Sequence, residues 1–148
     1  MVNELTVIEA LETTIEGNIN TYIVEGLPAL SSANVTIDFP DVDSMPKDVM
    51  IYLYPNYAQY EPLATRNDRS YFTVSIFLLC KRDKQANLAK KMFGYFNALY
   101  ETIRKHMELG GVADLSSVTN GEFYPAVDMN KNVQGAEISV TVEYTKDF

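Results

Sequence analysis

The segment AEISVTVEY, residues 136–144, places the strongest restriction on what this chain can fold into. Its even positions are apolar and its odd positions from 137 to 143 are polar, the period-two pattern of a strand with one dry and one wet side. Such a strand belongs to an antiparallel sheet with a single covered face, so other parts of the chain must cover it. The apolar positions are Ile138, Val140, Val142 and Tyr144.

A first helix can supply part of that cover. Apolar residues recur at spacings of three and four from Leu5 to Ile23, which predicts an amphipathic helix at roughly Glu4–Glu25. Asn3 can accept hydrogen bonds from the free amides at its start, and Gly26 is a stop signal.

A second long helix follows later in the chain. Asp83 is the predicted N-cap, and Gly110-Gly111 is the predicted end. Between them one continuous apolar stripe has helical spacing. Its members are Leu88, Met92, Tyr95, Phe96, Leu99, Ile103 and Met107.

Four further segments have the character of strands. They are 34–39, 49–54, 70–81 and, with turn residues Asn120-Gly121 near one end, 112–124. In the third, the even positions from Phe72 to Cys80 are all apolar, which predicts a central strand with one buried face. The order of helix, three strands, helix and two strands predicts an α+β fold. We expect a single domain over 1–148, with an antiparallel or mixed β-sheet of about four to five strands and two long helices packed on one face.

Five of the ten tyrosines lie between Tyr52 and Tyr71. Pro55-Asn56 and Glu61-Pro62 are turn formers, so residues 55–70 are predicted to be a projecting loop. The 70–81 strand is longer than usual, so its first part can alternatively project past the core, together with this loop, as a hairpin. Two interpretations remain open for Tyr57 and Tyr60. They either fold onto their own domain as a lid, lining a ligand pocket, or they contact another protein, where tyrosine and arginine are enriched. The candidate interface residues here are Tyr54, Tyr57, Tyr60, Arg66 and Arg69.

Charge is unevenly distributed along the chain. The net charge is −8, and residues 1–46 hold eight acidic residues and no lysine or arginine. Seven basic residues lie between Lys81 and Lys105. Net acidity disfavours nucleic-acid binding as the main activity. The acidic third is either a solvated helix face or a surface for a basic neighbour. Its candidates are Glu9, Glu12 and Glu16, with Lys90 and Lys91 as the basic counterpart.

Catalytic and metal-binding residue sets are poorly represented. His106 is the one histidine, at the end of the second predicted helix, where capping or exposure is expected. Cys80 is expected to be a buried structural thiol. Asp38, Asp41 and Asp43 do not have the spacing of a calcium loop. We therefore expect no enzyme activity, metal or cofactor. The acidic N-terminus does not have the form of a signal peptide, and no apolar run is long enough for a membrane helix.

In its layout the chain resembles the tail terminators, also called tail-to-head joining or tail completion proteins, of long-tailed bacteriophages and related phage-tail particles. The likeness extends over almost the whole chain. It rests on the acidic amphipathic first helix, a strand, long loop and long strand ending in LLCKRD, the helix segment DKQANLAKKMFGYFNALYETI, and the terminal pair NGEFYPAVDMNKNVQGAEISVTVEY.

The resemblance implies a non-enzymatic subunit of a homo-hexameric ring. Such a ring sits on the head-proximal end of the tail tube, stops its polymerisation and presents a head-joining surface. The implied partners are other copies of the chain, the tail tube protein and a head-neck connector protein, with DNA only passing through the channel. The implied location is the virion, after assembly in the host cytoplasm. The alternatives are another neck (head-closure) protein, or a small cytoplasmic ligand-binding or regulatory α+β domain.

Overall fold

The computed structural model describes residues 1–83 and 87–147. It contains two α-helices, α1 (Glu4–Asn18) and α2 (Leu88–Lys105). There are five strands: β1 (Val35–Ile37), β2 (Val49–Ala64), β3 (Asn67–Lys81), β4 (Leu115–Tyr124) and β5 (Val133–Asp147). Four single turns of 3₁₀ helix connect them, at Ile19–Thr21, Ser32–Asn34, Val42–Ser44 and Leu109–Gly111. Among the helices of these described residues, none is long and apolar enough to span a membrane.

The five strands form one mixed sheet in the order β1-β2-β3-β5-β4. β1 runs parallel to β2, and the other neighbouring pairs are antiparallel. β2 and β3 form a hairpin, and β3 pairs along its whole length with β5, which like β3 has 15 residues. This confirms the predicted α+β fold with a mixed sheet and two helices.

The main core lies between the sheet and the two helices. The alternating residues of β5, from Ile138 to Tyr144, are buried there, as predicted from the sequence. The even positions of β3 from Phe72 to Cys80 are buried in the same core and are between 0 and 4% exposed. The other sheet face has a smaller buried cluster, which consists of Met50, Tyr52, Leu79 and Val133.

α1 starts where the sequence indicates and ends earlier. The Asn3 side chain accepts a hydrogen bond from the Thr6 amide at 3.0 Å, which satisfies one of the free donors of the first turn. The predicted end at Glu25 is wrong, because the α-helix ends at Asn18 and one turn of 3₁₀ helix follows it. Beyond it, the Asn20 side chain holds the next segment by donating to the Leu30 carbonyl and accepting from the Leu30 amide, each at 2.8 Å.

α2 is shorter than predicted at both ends. Its N-cap is Asn87, whose side chain accepts from the Lys90 amide at 3.2 Å, and not Asp83. The predicted first turn, residues 84–86, lies outside the described part of the chain. The helix ends at Lys105 because His106 has non-helical backbone angles, with φ −126° and ψ 47°. Gly110, at φ 70°, is part of the following 3₁₀ turn and does not cap α2 itself.

The strand boundaries also differ from the sequence prediction. β4 begins at Leu115, three residues later than expected, and Asn120-Gly121 lies inside it beside a bulge, not at a turn. β5 is longer than the alternating segment and reaches from Val133 to Asp147. The bulge adds a residue to β4 without ending its pairing with β5, which is why a turn signal occurs within a strand.

Candidate functional site

The predicted projecting loop is instead a pair of strands. We call residues 55–64 of β2 and 67–71 of β3 the distal hairpin; its turn falls at Thr65-Arg66. The turn formers Pro55 and Pro62 stand in β2 at two register irregularities, between Pro55 and Tyr57 and between Pro62 and Ala64. Proline lacks an amide donor but is tolerated at bulges and in edge strands, so it interrupts the ladder without ending it.

Along most of the distal hairpin, β2 is the outermost strand. β1 pairs only with Ile51–Leu53, so within the described residues no strand lies beside residues 55–64 on their outer side. An open strand edge with unpaired backbone donors and acceptors is a template for a further strand from another chain.

The predicted interface residues are distributed along this hairpin. Tyr57 is 56% exposed and Tyr60 is 47% exposed. Tyr54 is half-buried, and its hydroxyl donates to Glu137 at 3.2 Å. Arg66 is exposed in the turn, whereas the exposed Arg69 forms an ion pair with Glu143 at 3.2 Å.

Tyr60 also has a contact within its own chain. Its hydroxyl donates to the Glu4 carboxylate, which also accepts from the Lys146 ammonium at 2.9 Å. The Lys146 nitrogen lies 5.1 Å from the centre of the Tyr60 ring. These three residues, the Glu4 cluster, join the distal hairpin to the start of α1 and the end of β5. Burial raises the pKa of Glu4, but the hydrogen bonds from Tyr60 and Lys146 outweigh it, so the net pKa is lowered.

The acidic candidates lie on one exposed side of α1. Glu9 is exposed, and Glu12 and Glu16 are half-buried. The pKa of Glu12 is raised, first by burial and then by repulsion from Glu16 and Glu9. The Ile37 backbone amide has a smaller opposing effect, which places Glu12 beside β1, the edge strand. The described residues supply no salt-bridge partner for these three carboxylates.

The two basic candidates have different environments. Lys90 is exposed on α2. Lys91 is only 4% exposed, and its ammonium binds the Asp83 carboxylate at 2.9 Å and the Lys81 carbonyl at 3.1 Å. Lys91 is therefore not a surface cation, because it sits on the side of α2 that faces the body of the subunit.

Sequence reasoning missed a group of aromatic side chains between α2 and β4. We call Phe93, Phe96 and Phe123 the aromatic patch. The ring of Phe123 lies 5.3 Å from Phe93 and 4.8 Å from Phe96 between centroids. Phe93 is 45% and Phe123 46% exposed. A signal was present, because Phe93 and Tyr100 are out of phase with the buried stripe of α2.

The residues considered for catalysis have structural roles. Cys80 is buried, and burial raises the pKa of its thiol to about 12. His106 caps α2, and its Nε2 is 3.0 Å from the Tyr22 hydroxyl. The Asp41 side chain accepts from the Asp43 amide at 3.1 Å. In the described part of the chain, no group of three or more His, Cys, Asp or Glu is placed to hold a metal ion.

An open groove of about 670 Å³ lies between α1 and the turn at Leu109–Gly111. Small side chains of α1 such as Ala10 and Thr13 line it, together with His106. Tyr57 and Tyr60 are not among its lining residues. The groove is therefore separate from the distal hairpin and is not a pocket closed by the tyrosines.

The chain matches no family model and no curated protein in sequence. Its fold is similar to that of a chain in the cryo-EM structure of an extracellular contractile injection system, the PVC sheath/tube terminator in its extended state. The TM-score is 0.50 and the sequence identity 10%, with 95% of the present chain covered. The present chain corresponds to 57% of the length of that chain. The resemblance to terminators inferred from the layout thus has a counterpart at the level of the fold.

Proposed function

We propose that this chain is a structural subunit of a phage-tail-like particle, in which it closes the end of the tail tube. The observation that carries the proposal is the similarity of fold to a sheath/tube terminator over 95% of the chain. The side-chain chemistry agrees with a non-enzymatic role, since Cys80 and His106 are used within the fold.

In its full form the proposal describes a homo-hexameric ring on the head-proximal end of the tube. The ring stops tube polymerisation and offers a surface to a head-neck connector protein, while DNA only passes through its channel. The subunit is then a virion component, assembled in the host cytoplasm. Acidic side chains toward the channel would repel the DNA backbone and keep it from binding there.

The distal hairpin is the surface that we assign to the tube protein. Its β2 edge is open, and Tyr57 is a large ring that is more than half exposed. Tyrosine at an interface buries much area at a low entropy cost and keeps a hydrogen-bonding hydroxyl. An added strand at this edge would also satisfy the unpaired backbone groups of residues 55–64.

The test uses tail tubes of the same particle, incubated with the labelled chain and viewed by electron microscopy. The chain is expected to bind one end of each tube and to stop elongation when tube protein is added. Tyr57→Ala and Tyr60→Ala are each expected to reduce end occupancy by at least about tenfold, a typical effect of removing an interface tyrosine.

Two controls separate binding from folding. Met129→Ala removes a side chain that is 94% exposed and lies outside the hairpin, and should leave capping unchanged. Glu4→Ala removes the carboxylate bound by Tyr60, so it shows how much of the Tyr60→Ala effect comes from loss of that contact. Full capping by both tyrosine variants, or binding along the tube wall, would contradict the proposal.

A further inference from the structure

The aromatic patch lies at one lateral edge of the molecule. β4 is the last strand of the sheet, and Phe123 on β4 contacts two phenylalanines of α2. Scattered exposed apolar residues are ordinary, but contiguous aromatic rings at an edge are typical of a surface that another molecule covers. Tyr100, one or two helical turns further along α2, is 41% exposed on the same side.

Cations stand at both ends of this aromatic surface. Lys90, Phe93, Tyr100 and Arg104 follow one another along α2 at helical spacings, so they share its outer side. Lys90 and Arg104 are exposed, and neither has an ion-pair partner within residues 1–83 and 87–147. We call this surface, with Phe123, the basic edge.

The opposite lateral edge has the complementary chemistry. α1 packs against β1, the first strand of the sheet, and Glu12 of α1 is half-buried. Leu5, Glu9, Glu12 and Glu16 follow at i, i+4, i+7 and i+11 and share one side of the helix. Leu5 is 61% exposed, an apolar residue beside three carboxylates that lack cations. We call this surface the acidic edge.

We propose that the acidic edge of one copy of this chain binds the basic edge of the next. Leu5 would be covered by the aromatic rings, and the carboxylates of α1 would meet Lys90 and Arg104. Charge complementarity selects a second copy as the occupant. Within the described residues, the three carboxylates of the acidic edge lack cation partners, and Lys90 and Arg104 of the basic edge lack acid partners. The exposed acid of α2, Glu101, is already paired with Lys105 at 3.5 Å.

The two edges lie at opposite ends of the strand order, β1 and β4. The contact is therefore head-to-tail: each copy uses a different surface on each side. A contact of this type generates a closed ring when its rotation closes. That the contacts close into a ring rests on the proposed function. The choice of the two surfaces that meet rests only on their side chains.

Charge reversal tests the pairing directly. An acid-edge variant carries Glu9→Lys and Glu16→Lys, and a basic-edge variant carries Lys90→Glu and Arg104→Glu. Glu12 is left unchanged because its side chain is half-buried, where a lysine would disturb the fold as well as the charge. Self-association is measured by sedimentation velocity and light scattering up to about 1 mM, where a contact with a Kd of that size is half occupied.

The wild-type chain is expected to associate in a concentration-dependent and salt-sensitive manner. Each variant alone is expected to associate at least about tenfold more weakly, because like charges now face each other. An equimolar mixture of the two should recover association, since alternating copies present opposite charges at every contact. A chain that carries all four changes should recover it as well.

Matched variants identify the cause of any loss. Glu25→Lys with Asp43→Lys changes charge equally at exposed acids elsewhere and should resemble wild type apart from the added charge. Phe93→Ser and Phe123→Ser should each weaken association by at least about tenfold. Phe39→Ser, at a side chain that is 68% exposed and whose ring lies 5.1 Å from that of Tyr54 in a tilted arrangement, should not weaken it. Thermal unfolding of each variant confirms that it is folded.

Three results would overturn the inference: a monomeric wild-type chain up to about 1 mM, reversal variants that associate like wild type, or folded variants that do not recover on mixing. In each case tube-end capping is measured on the same variants. If variants that no longer associate through these edges still cap tubes, the pairing is rejected and the proposed function is retained. If association is recovered on mixing but no variant caps tubes, the pairing is retained and the proposed function is rejected.

Discussion

The two halves of the β2–β3 hairpin have the same backbone pairing and opposite surroundings. In the proximal half, residues 49–54 and 72–81, Leu53 and Ile76 are fully buried beneath the helices. In the distal hairpin, Tyr57 and Leu63 are more than half exposed. One pair of strands thus contributes core packing at one end and an accessible surface at the other. Side-chain burial, and not strand pairing, distinguishes the part that stabilises the subunit from the part available to a partner.

The same substitution, leucine to alanine, can be made in both halves of β2 to measure the effect of this difference in burial. Leu53 is 0% exposed and Leu63 is 52% exposed, ten residues apart on one strand. Leu53→Ala is expected to lower the free energy of unfolding by about 2–5 kcal/mol, because it removes buried methyl groups and leaves a cavity. Leu63→Ala is expected to change it by less than about 0.5 kcal/mol. Urea unfolding followed by circular dichroism measures both.

Equal losses in the two variants would show that the distal hairpin is packed as tightly as the proximal half. As a control, the slope of the free energy of unfolding against urea concentration should be unchanged in both variants, which shows that the same surface is exposed on unfolding.

The buried residues of the proximal half could be predicted from the sequence because they are apolar and recur at regular spacing. Alternation in β3 and β5 places Val74, Ile76 and Val140 in the core, where the structure has them. The helical stripe of α2 likewise predicts Tyr95 and Leu99 as buried residues. Burial of one face makes apolar residues recur at a fixed spacing. That spacing identifies the buried residues even where the ends of the helix or strand are predicted wrongly.

For the distal hairpin, the interpretation as a loop was wrong and the alternative of a hairpin agrees with the structure. The loop was the stronger prediction because the β2 side chains of residues 55–64 are not buried on either face, so no burial pattern marks them as a strand. The strands of the distal hairpin stay paired, and Pro55 and Pro62 stand at register irregularities of an edge strand, where proline is tolerated. The edge position of β2 depends on β1 being three residues long, which is a property of the sheet and not of the local sequence. The aromatic patch was missed for a related reason: Phe123 meets Phe93 only once β4 and α2 are packed together.

The sheet face that lacks helices is closely packed at Gly135 of β5. At Gly135 an added Cβ would lie 2.9 Å from Phe77, 3.0 Å from Val127 and 3.2 Å from Leu79. Gly135→Ala is therefore expected to cost about 1–3 kcal/mol, since these side chains must move. At Gly121 the nearest contact would be Phe96 at 3.6 Å, an ordinary separation. Gly121→Ala is expected to be neutral, or to stabilise by up to about 1 kcal/mol by restricting the unfolded chain.

Thermal unfolding of the two alanine variants compares them under identical conditions. A loss at Gly121 as large as at Gly135 would mean that the backbone conformation of glycine is required in both strands. The prediction instead assigns the loss at Gly135 to crowding, so Gly135→Ser should lose at least as much as Gly135→Ala.

The Glu4 cluster is one of the side-chain contacts between the distal hairpin and the rest of the subunit, and its removal should cost little stability. Glu4→Gln removes the charge that pairs with Lys146 at 2.9 Å, and the cost should be below about 1 kcal/mol because these groups are partly exposed to solvent. The pKa of Glu4 is lowered from 4.5 in the folded chain, so its contribution is fully present above that pH and is lost as pH falls through the folded pKa. The stability difference between wild type and Glu4→Gln should therefore be constant near neutral pH and shrink under acid conditions.

Glu25→Gln, at an exposed carboxylate without an ion pair in the described part of the chain, should show no such difference. If the gap between wild type and Glu4→Gln instead widened in acid, Glu4 would have a raised pKa, and its charge would not stabilise the contact with Tyr60 and Lys146.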